Sequence, residues 1–503
     1  MRIFHLLAIL AIPAFAQVGP DYERPASAVP PKFKGVTWRA ASPAAHLPKG
    51  EWWKVFRDSK LNDLMARATA GNQDLKAALA RFDQARATAR MARADFLPGV
   101  SLPLTAERQR TSENQPSPIP LNGLRYDGPA YNAMADFSWE LDLWGKIRRQ
   151  NEGARADAEA AADAVHNVLL GIQAELASSY FQLRALDQEI RLVREAVALR
   201  GEALKIAQAR VLAGAGSELE QAQAETEVAS AEAEISTLQA RRDQYENAIA
   251  ILTGSSAARF RVTSGGALPA PPDLPAGVPS DLLERRPDIS SAERQLAAAT
   301  ARIGVARAQF FPSIRLLGRG GYQSMDLDAL LEPASLMWSY GPSISVPLFA
   351  GGKNRFNLQK ARAAHDEALA GWRQAFLTAV ADVETSLSSI QNLATTSAAQ
   401  QRARQSAERA ASLAKTRYEA GTSPYLDVIE ANRTALAMQR ATAQTAGQRL
   451  AAAVSLIKAL GGGWEATAPL PAPAPDPSAQ IMPDDESRRG LLSRLKDFIR
   501  RRE

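Results

Sequence analysis

The chain has 503 residues, with 60 Lys and Arg against 54 Asp and Glu, for a net charge of +6. The arginines are dispersed among glutamates, so the charge pattern gives no basis for nucleic-acid binding. No cysteine is present and four histidines (His5, His46, His166, His365) are scattered, which excludes disulfides and zinc-finger or iron–sulfur ligation and leaves no metal-ligand spacing.

The N-terminus reads as a secretory signal peptide, residues 1–16. Arg2 gives a short basic start, Ile3 to Ile12 an apolar run, and Ala14-Phe15-Ala16 a cleavage site that would leave Gln17 first. Residues 17–50 are rich in Pro, Ala and Lys and read as an extended strap. A helical stretch opens at Trp52-Trp53 with Phe56 and runs to about Ala94, with Leu61, Leu64, Leu75, Leu79 and Phe82 at helical spacing.

At Leu97-Pro98 the period changes from 3.6 to 2. Val100, Leu102, Leu104 and Ala106 alternate with polar residues. After a Pro/Asn/Gly-rich loop (112–129), Tyr131, Ala133, Ala135, Phe137, Trp139, Leu141 and Leu143 point one way and Asn132, Met134, Asp136, Ser138, Glu140 and Asp142 the other. A second such pair follows. Ile314, Leu316 and Tyr322 oppose Arg315 and Arg319; Trp338, Tyr340, Ile344, Val346 and Leu348 oppose Ser339, Ser343 and Ser345. One apolar and one polar face fit strands with lipid outside and water inside, or a soluble hairpin laid on helices. Four strands cannot close a barrel alone, so the membrane reading requires an oligomer.

Each strand pair leads into a long helical hairpin. From Lys353 to Glu419 there is no proline and one glycine, Gly371. Such a helix spans roughly 100 Å, longer than a compact domain needs. In the first hairpin Leu169, Ile172, Leu176, Tyr180, Leu183, Ile190, Val193 and Val197 form a coiled-coil-like seam. The turns are Ala213-Gly214-Ala215-Gly216-Ser217 and Tyr418-Glu-Ala-Gly421-Thr-Ser-Pro424. Gly214 and Gly421 are 207 apart, Pro98 and Pro312 are 214 apart, and Gly254 and Gly462 are 208 apart, which marks an internal duplication.

The chain therefore divides into several parts. A first repeat (51–263) holds a helix, a β-hairpin (96–143) and a helical hairpin (145–254). A Pro/Gly linker (264–280) leads to a second repeat (281–464) with a β-hairpin (310–349) and a helical hairpin (352–462). A Pro-rich tail (465–503) ends in a basic amphipathic helix (487–503). That helix could lie on an anionic membrane, dock on its own protein or stay solvated. The expected class is α+β, mainly α.

No catalytic motif is complete. Gly318-Arg-Gly320-Gly321 stops short of a dinucleotide fingerprint, and Gly351-Gly352-Lys353-Asn354 is a strand-to-helix turn. The sequence gives no reason to expect an enzyme or a cofactor.

Several stretches together resemble the outer-membrane factors, the TolC-like and OprM-like channels of tripartite efflux and secretion systems, in their NodT-like branch. They are Val18-Gly-Pro-Asp-Tyr-Glu-Arg-Pro25, Trp52-Trp53 with Phe56, Pro279-Ser-Asp-Leu-Leu-Glu-Arg-Arg-Pro-Asp-Ile289, Ala306-Arg-Ala-Gln-Phe-Phe-Pro312 and Leu348-Phe-Ala-Gly-Gly352. The resemblance covers roughly Val18 to Trp464. It implies a homotrimeric outer-membrane β-barrel, four strands per chain, continuous with a periplasmic α-helical barrel. The partners it implies are outer-membrane lipid, a periplasmic adaptor and an inner-membrane pump of the RND type. Many relatives carry a lipidated cysteine before Val-Gly-Pro-Asp-Tyr. Here that position is Gln17, so no thioether anchor can form.

The resemblance also assigns sites. Asp427 and Glu430, three apart on one helix face, match acidic positions at the tunnel entrance, and Leu426 an apolar constriction. Glu220 matches a position paired in relatives with a tyrosine of the other turn, here Tyr418. Ala213, Gly214 and Ala215, with Ala420, Gly421 and Thr422, match the tips offered to the adaptor. Acids early in a helix also complement its dipole, and glycine also ends helices, so the plain structural readings stand beside these. The expected function is a passive exit duct for small molecules, gated at its periplasmic tips. The alternative is a soluble periplasmic coiled-coil scaffold or adaptor without a pore, and the alternating strands discriminate against it.

Overall fold

Proline-free arms rich in Ala, Leu, Gln, Glu and Arg become two helices of equal length, because those residues lose least on entering a helix. In a computed structural model these are α3 (Lys146–Leu212) and α6 (Lys353–Glu419), each 67 residues long. The structure describes residues 18–25, 50–110, 112, 127–272 and 286–462. The expected leader, Gln17, most of the strap, most of the 112–129 loop, part of the linker with the start of the Leu-Leu-Glu-Arg-Arg run, and the C-terminal tail with its amphipathic helix lie outside the described residues.

The duplication is sharper in three dimensions. The returning arms α4 (Glu218–Leu252) and α7 (Tyr425–Ala459) are both 35 residues long, again 207 apart. The short helices α2 (Gln73–Ala94) and α5 (Pro287–Ala308) are both 22 long and 214 apart. The seven-residue difference falls between the short helices and the long arms, where the strands are. One expected landmark moves by a residue. Ser255 N–H donates to Ala250 O as Gly462 N–H does to Ile457 O, so Gly254 corresponds to Gly461 rather than Gly462. Gly254 and Gly461 both have positive φ, 66° and 88°.

Helix and strand residues gather into two compact units. One holds the described parts of Phe82–Ala164 and Val278–Glu384 with the N-terminal strap. Its sheet is antiparallel. The segments β1 (Gly99–Ser101) and β2 (Leu104–Arg110) both pair with β3 (Asp127–Leu141) in one continuous register, since Ser101 faces Asp136 and Leu104 faces Ala133. Pro103 interrupts the assignment because it has no N–H, but its carbonyl still accepts from Met134 N–H at 3.2 Å. β3 pairs in turn with β4 (Ser313–Ser324) and β4 with β5 (Leu336–Ser345). The four expected strands are thus present, the first broken by proline.

Register puts Val100, Phe137, Gly318 and Tyr340 in one row across the sheet. This face is apolar and in water here: Trp338 is 67% and Tyr340 82% exposed, with their rings stacked at 5.6 Å. Gly318 and Gly320 are not phosphate-loop glycines. Gly318 lies against Phe137 and Gly320 opposite Trp338 in the sheet. Within the chain β2 and β5 each have one unpaired edge among the described residues.

The strap explains the Val-Gly-Pro-Asp-Tyr run. Val18 N–H donates to Trp144 O at 3.2 Å. Gly19 lies so close to Gly304 of α5 that a Cβ would sit 2.5 Å from its Cα. Asp21 accepts from the buried Arg149 at 2.5 Å, and Tyr22 donates to Glu293 at 3.1 Å while Arg24 pairs with the same carboxylate at 2.9 Å. Burial and Glu293 together push the Tyr22 hydroxyl up to about 12. The Arg-Pro-Asp-Ile run opens α5: Arg286 stands at the position before it and reaches Asp288 (2.7 Å) and Asp382 (3.0 Å), Pro287 takes the first turn, and Ile289 packs on Trp372, Phe376 and Ala379.

The second unit holds the described parts of Arg39–Arg81, Val165–Gly277 and Thr385–Glu503. Its aromatic centre is Trp52, Phe56, Tyr180 and Phe181, with Trp52 Nε1 donating to Gln173 at 3.2 Å. The α3 seam is buried here at Leu176, Tyr180, Leu183, Ile190 and Val193. The single helix expected up to Ala94 is broken. A 3-10 turn (Trp52–Phe56) is followed by α1 (Ser59–Gly71), which ends at Asn72. That side chain accepts from Leu75 N–H (3.0 Å) and donates to Leu252 O (2.9 Å), so it caps α2 and ties it to α4. No described helix is long and apolar enough to cross a membrane.

Candidate functional site

Both hairpin turns are built the same way. Gly214 and Gly421 take positive φ (70° and 72°), the left-handed conformation that ends a helix at least cost with glycine. Ala215 N–H donates to Arg210 O and Thr422 N–H to Arg417 O, each at 2.9 Å, closing the same loop 207 residues apart. Ser217 then caps α4 by accepting from Leu219 N–H, whereas Pro424 starts α7 with no side-chain cap. Ala213, Gly214, Ala215, Ala420, Gly421 and Thr422 are all exposed. The two sets of tip residues are therefore small, accessible and structurally equivalent.

Leu426, Asp427 and Glu430 lie on the first turns of α7, all exposed, while Val428 and Ile429 between them are buried. The exposed side of the helix thus carries one apolar and two acidic side chains. Neither carboxylate forms an ion pair among the described residues.

Tyr418 is placed differently from expectation. Its hydroxyl accepts from Arg210 at 2.7 Å, and its ring lies 5.3 Å from that of Tyr425. Arg210 is on α3, one turn before the first tip, so Arg210 and Tyr418 join the two hairpins there. Glu220, half-buried in the first turn of α4, stands near Tyr425 and contributes to raising its hydroxyl pKa, behind burial, Tyr418 and Glu227. The Glu220–Tyr418 pair is not formed within one chain.

A stronger connection lies about 14 Å above the tips, ten residues past Ser217 and nine past Pro424. Glu227 on α4 is 4% exposed and is held by Arg433 of α7 and Arg200 of α3 (3.2 Å). Arg200 also donates to the Glu227 carbonyl at 3.0 Å. The bond to Glu227 raises the Arg433 guanidinium pKa above its ordinary value. One heptad further, Arg440 reaches Glu234 and Glu189, and Gln444 donates to Glu189 at 2.7 Å. Arg200, Arg210, Glu227 and Arg433 were not singled out from sequence. A signal existed: Glu227 and Arg433 are 206 apart, as are Glu234 and Arg440, within one residue of the repeat offset.

Chemically, this constellation can attract cations, repel itself at close range and hold two hairpins together. Among the described residues no group of three or more His, Cys, Asp or Glu side chains is placed to hold a metal ion. Gln17, next to the docked Val18, lies outside the described residues.

Comparison with known proteins agrees with this architecture. The profile of the family described as "Outer membrane efflux protein" matches residues 64–255 and 278–462. Outer membrane protein OprJ of Pseudomonas aeruginosa is 33% identical over 463 residues, covering 92% of this chain and 95% of OprJ. Solvent efflux pump outer membrane protein SrpC of Pseudomonas putida is 33% identical over 451 residues, covering 88% of this chain and 95% of SrpC. The solved structure of the outer-membrane channel OprN superposes with a TM-score of 0.80 at 33% identity, covering 88% of this chain and 99% of that one. The chain belongs to the outer membrane efflux protein family, whose members are the outer-membrane channels of efflux pumps.

Proposed function

We propose that three copies of the chain close one β-barrel in the outer membrane, and that the long helices line the periplasmic part of the same duct. The observation that carries this reading is the sheet. It has an exposed apolar face rich in Trp338, Tyr340, Leu336 and Ile344, and, among the described residues, unpaired edges on β2 and β5. Edge strands of that length invite pairing, and lipid is the solvent for such a face. A soluble scaffold would leave both features in water.

The duct is passive. An inner-membrane pump of the RND type, working through a periplasmic adaptor, would supply small molecules and energy. The exposed tips at 213–215 and 420–422 are the adaptor's docking points. Asp427 and Glu430 of three chains form carboxylate rings at the entrance, and Leu426 a constriction beside them. Like charges brought together when the entrance closes store repulsion that favours opening. Within each chain, Arg210–Tyr418 and the Glu227 cluster oppose that opening by tying the hairpins. SrpC is named for solvent efflux; small organic molecules are the corresponding cargo class here.

The test is the assembly state. The protein should fractionate with the outer membrane and, in detergent, have a protein mass of three chains. A monomer that stays in solution without detergent would refute the proposal.

A further inference from the structure

On the polar face of the sheet, register brings opposite charges together. Asp136 faces Arg319 and Glu140 faces Arg315. Both pairs form: Arg319 Nε lies 2.6 Å from Asp136 and Arg315 Nη2 lies 3.3 Å from Glu140, which also accepts from Lys146 at 2.8 Å. These are the charged residues of β3 and β4 on that face, arranged as two rungs four residues apart.

Two details make the rungs more than strand glue. β3 and β4 are the inner pair of the sheet, so pairing of its edges with further copies does not cover them. The arginines also lie outermost: their side chains are 55% and 54% exposed, against 32% for Asp136 and 21% for Glu140. Neighbours on the face are small or neutral, including Gly321, Ser339, Gly341 and Ser343. Glu107 of β2, on the same face, forms no ion pair among the described residues.

We propose that Arg315 and Arg319 set the charge selectivity of the transmembrane passage, by cancelling Glu140 and Asp136 and presenting guanidinium–carboxylate pairs to the permeating molecule. This rests on the barrel reading, in which the apolar face is outside and the polar face lines the passage. Asp136 is compensated by Arg319, and Glu140 is shared by Arg315 and Lys146, so neither rung offers a bare carboxylate; a compensated pair imposes no strong barrier on either sign of charge, because its field falls off faster than that of a single ion. The cargo class it fits is amphipathic organic molecules of either sign, zwitterions included, rather than cations alone. Sign-dependent selection is then left to the tip carboxylates.

The experiment is the reversal potential of purified channels in a planar bilayer under a KCl gradient. The parent is D427A/E430A, so that the tip does not mask the barrel. R319A leaves Asp136 bare in each copy and should shift the potassium-to-chloride permeability ratio severalfold toward potassium. D136N leaves Arg319 bare and should shift it toward chloride. The double variant D136N/R319A should return to the parent's value. Opposite shifts with return in the double variant support the proposal. Shifts of the same sign, or none in either single variant, overturn it. Absence of single-channel currents from the parent and from the unmodified protein refutes the barrel reading itself.

Discussion

The Glu227 cluster gives a quantitative test of what holds the two hairpins together. The carboxylate is buried and has two guanidinium partners, so the arginines back each other up. Arg433→Ala removes a partner that is largely in water, leaving Arg200 in place; the cost is about 1 kcal/mol. Arg200→Ala loses its bond to the carboxylate and to the Glu227 carbonyl while Arg433 remains, again about 1 kcal/mol. Removing both strands a buried anion, which costs about 3–5 kcal/mol. The double variant therefore exceeds the sum of the singles by about 1–3 kcal/mol. Thermal unfolding in detergent, followed by helical circular dichroism, reads the three variants beside the parent. Adding Glu227→Gln to the double variant removes the stranded charge and should recover most of the loss. Additive singles, or no recovery with the glutamine, would refute the view that a shared buried carboxylate links α3, α4 and α7.

Other sites make independent demands. Gly254 has φ +66° and a Cβ there would collide with the Gly71 carbonyl, so Gly254→Val should cost at least about 3 kcal/mol, visible as a lowered melting temperature; an unchanged melting temperature would contradict the close crossing of α1 and α4 ends. Glu189 has its pKa raised by burial, only partly offset by Gln444 and Arg440. The folded chain therefore binds its proton more tightly than the unfolded chain, and this group's contribution to stability falls as pH rises from the ordinary glutamate value of 4.5 through the higher folded value. Glu189→Gln should flatten that slope in a melting-temperature series; a steeper slope in the variant would reverse the sign of the argument.

Much of this fold was legible because long-range order repeats a local rule. Residues 353–419 lack proline and are rich in helix formers, and they form one helix with those bounds. Alternation at 131–141 fixed which residues share a face, and the structure keeps that division. What alternation cannot supply is the pairing between strands 180 residues apart, since period 2 names a face and not a partner. The Asp136–Arg319 and Glu140–Arg315 rungs were therefore visible as four charges but not as two pairs. The break at Asn72 was missed because the apolar spacing continues through it; the side chain caps α2 by accepting from Leu75 N–H, and its bond to Leu252 O ties that break to α4. Tyr418 bonds to Arg210 within the chain, a partner that sequence spacing does not name because it is chosen by how α3 and α6 meet. The tips were legible from glycine alone, because a left-handed helix end has a strong residue preference.

The central claim is that this chain forms a gated channel whose narrow point carries Asp427 and Glu430. Planar-bilayer conductance of the detergent-purified protein, wild type beside D427A/E430A, tests it most directly. The account predicts discrete current steps from both, with a larger conductance in the variant once the carboxylate rings are gone. Equal conductance in the two would remove the gate from the second turn. Silence from both, in a protein that stays monomeric without detergent, would contradict the channel altogether.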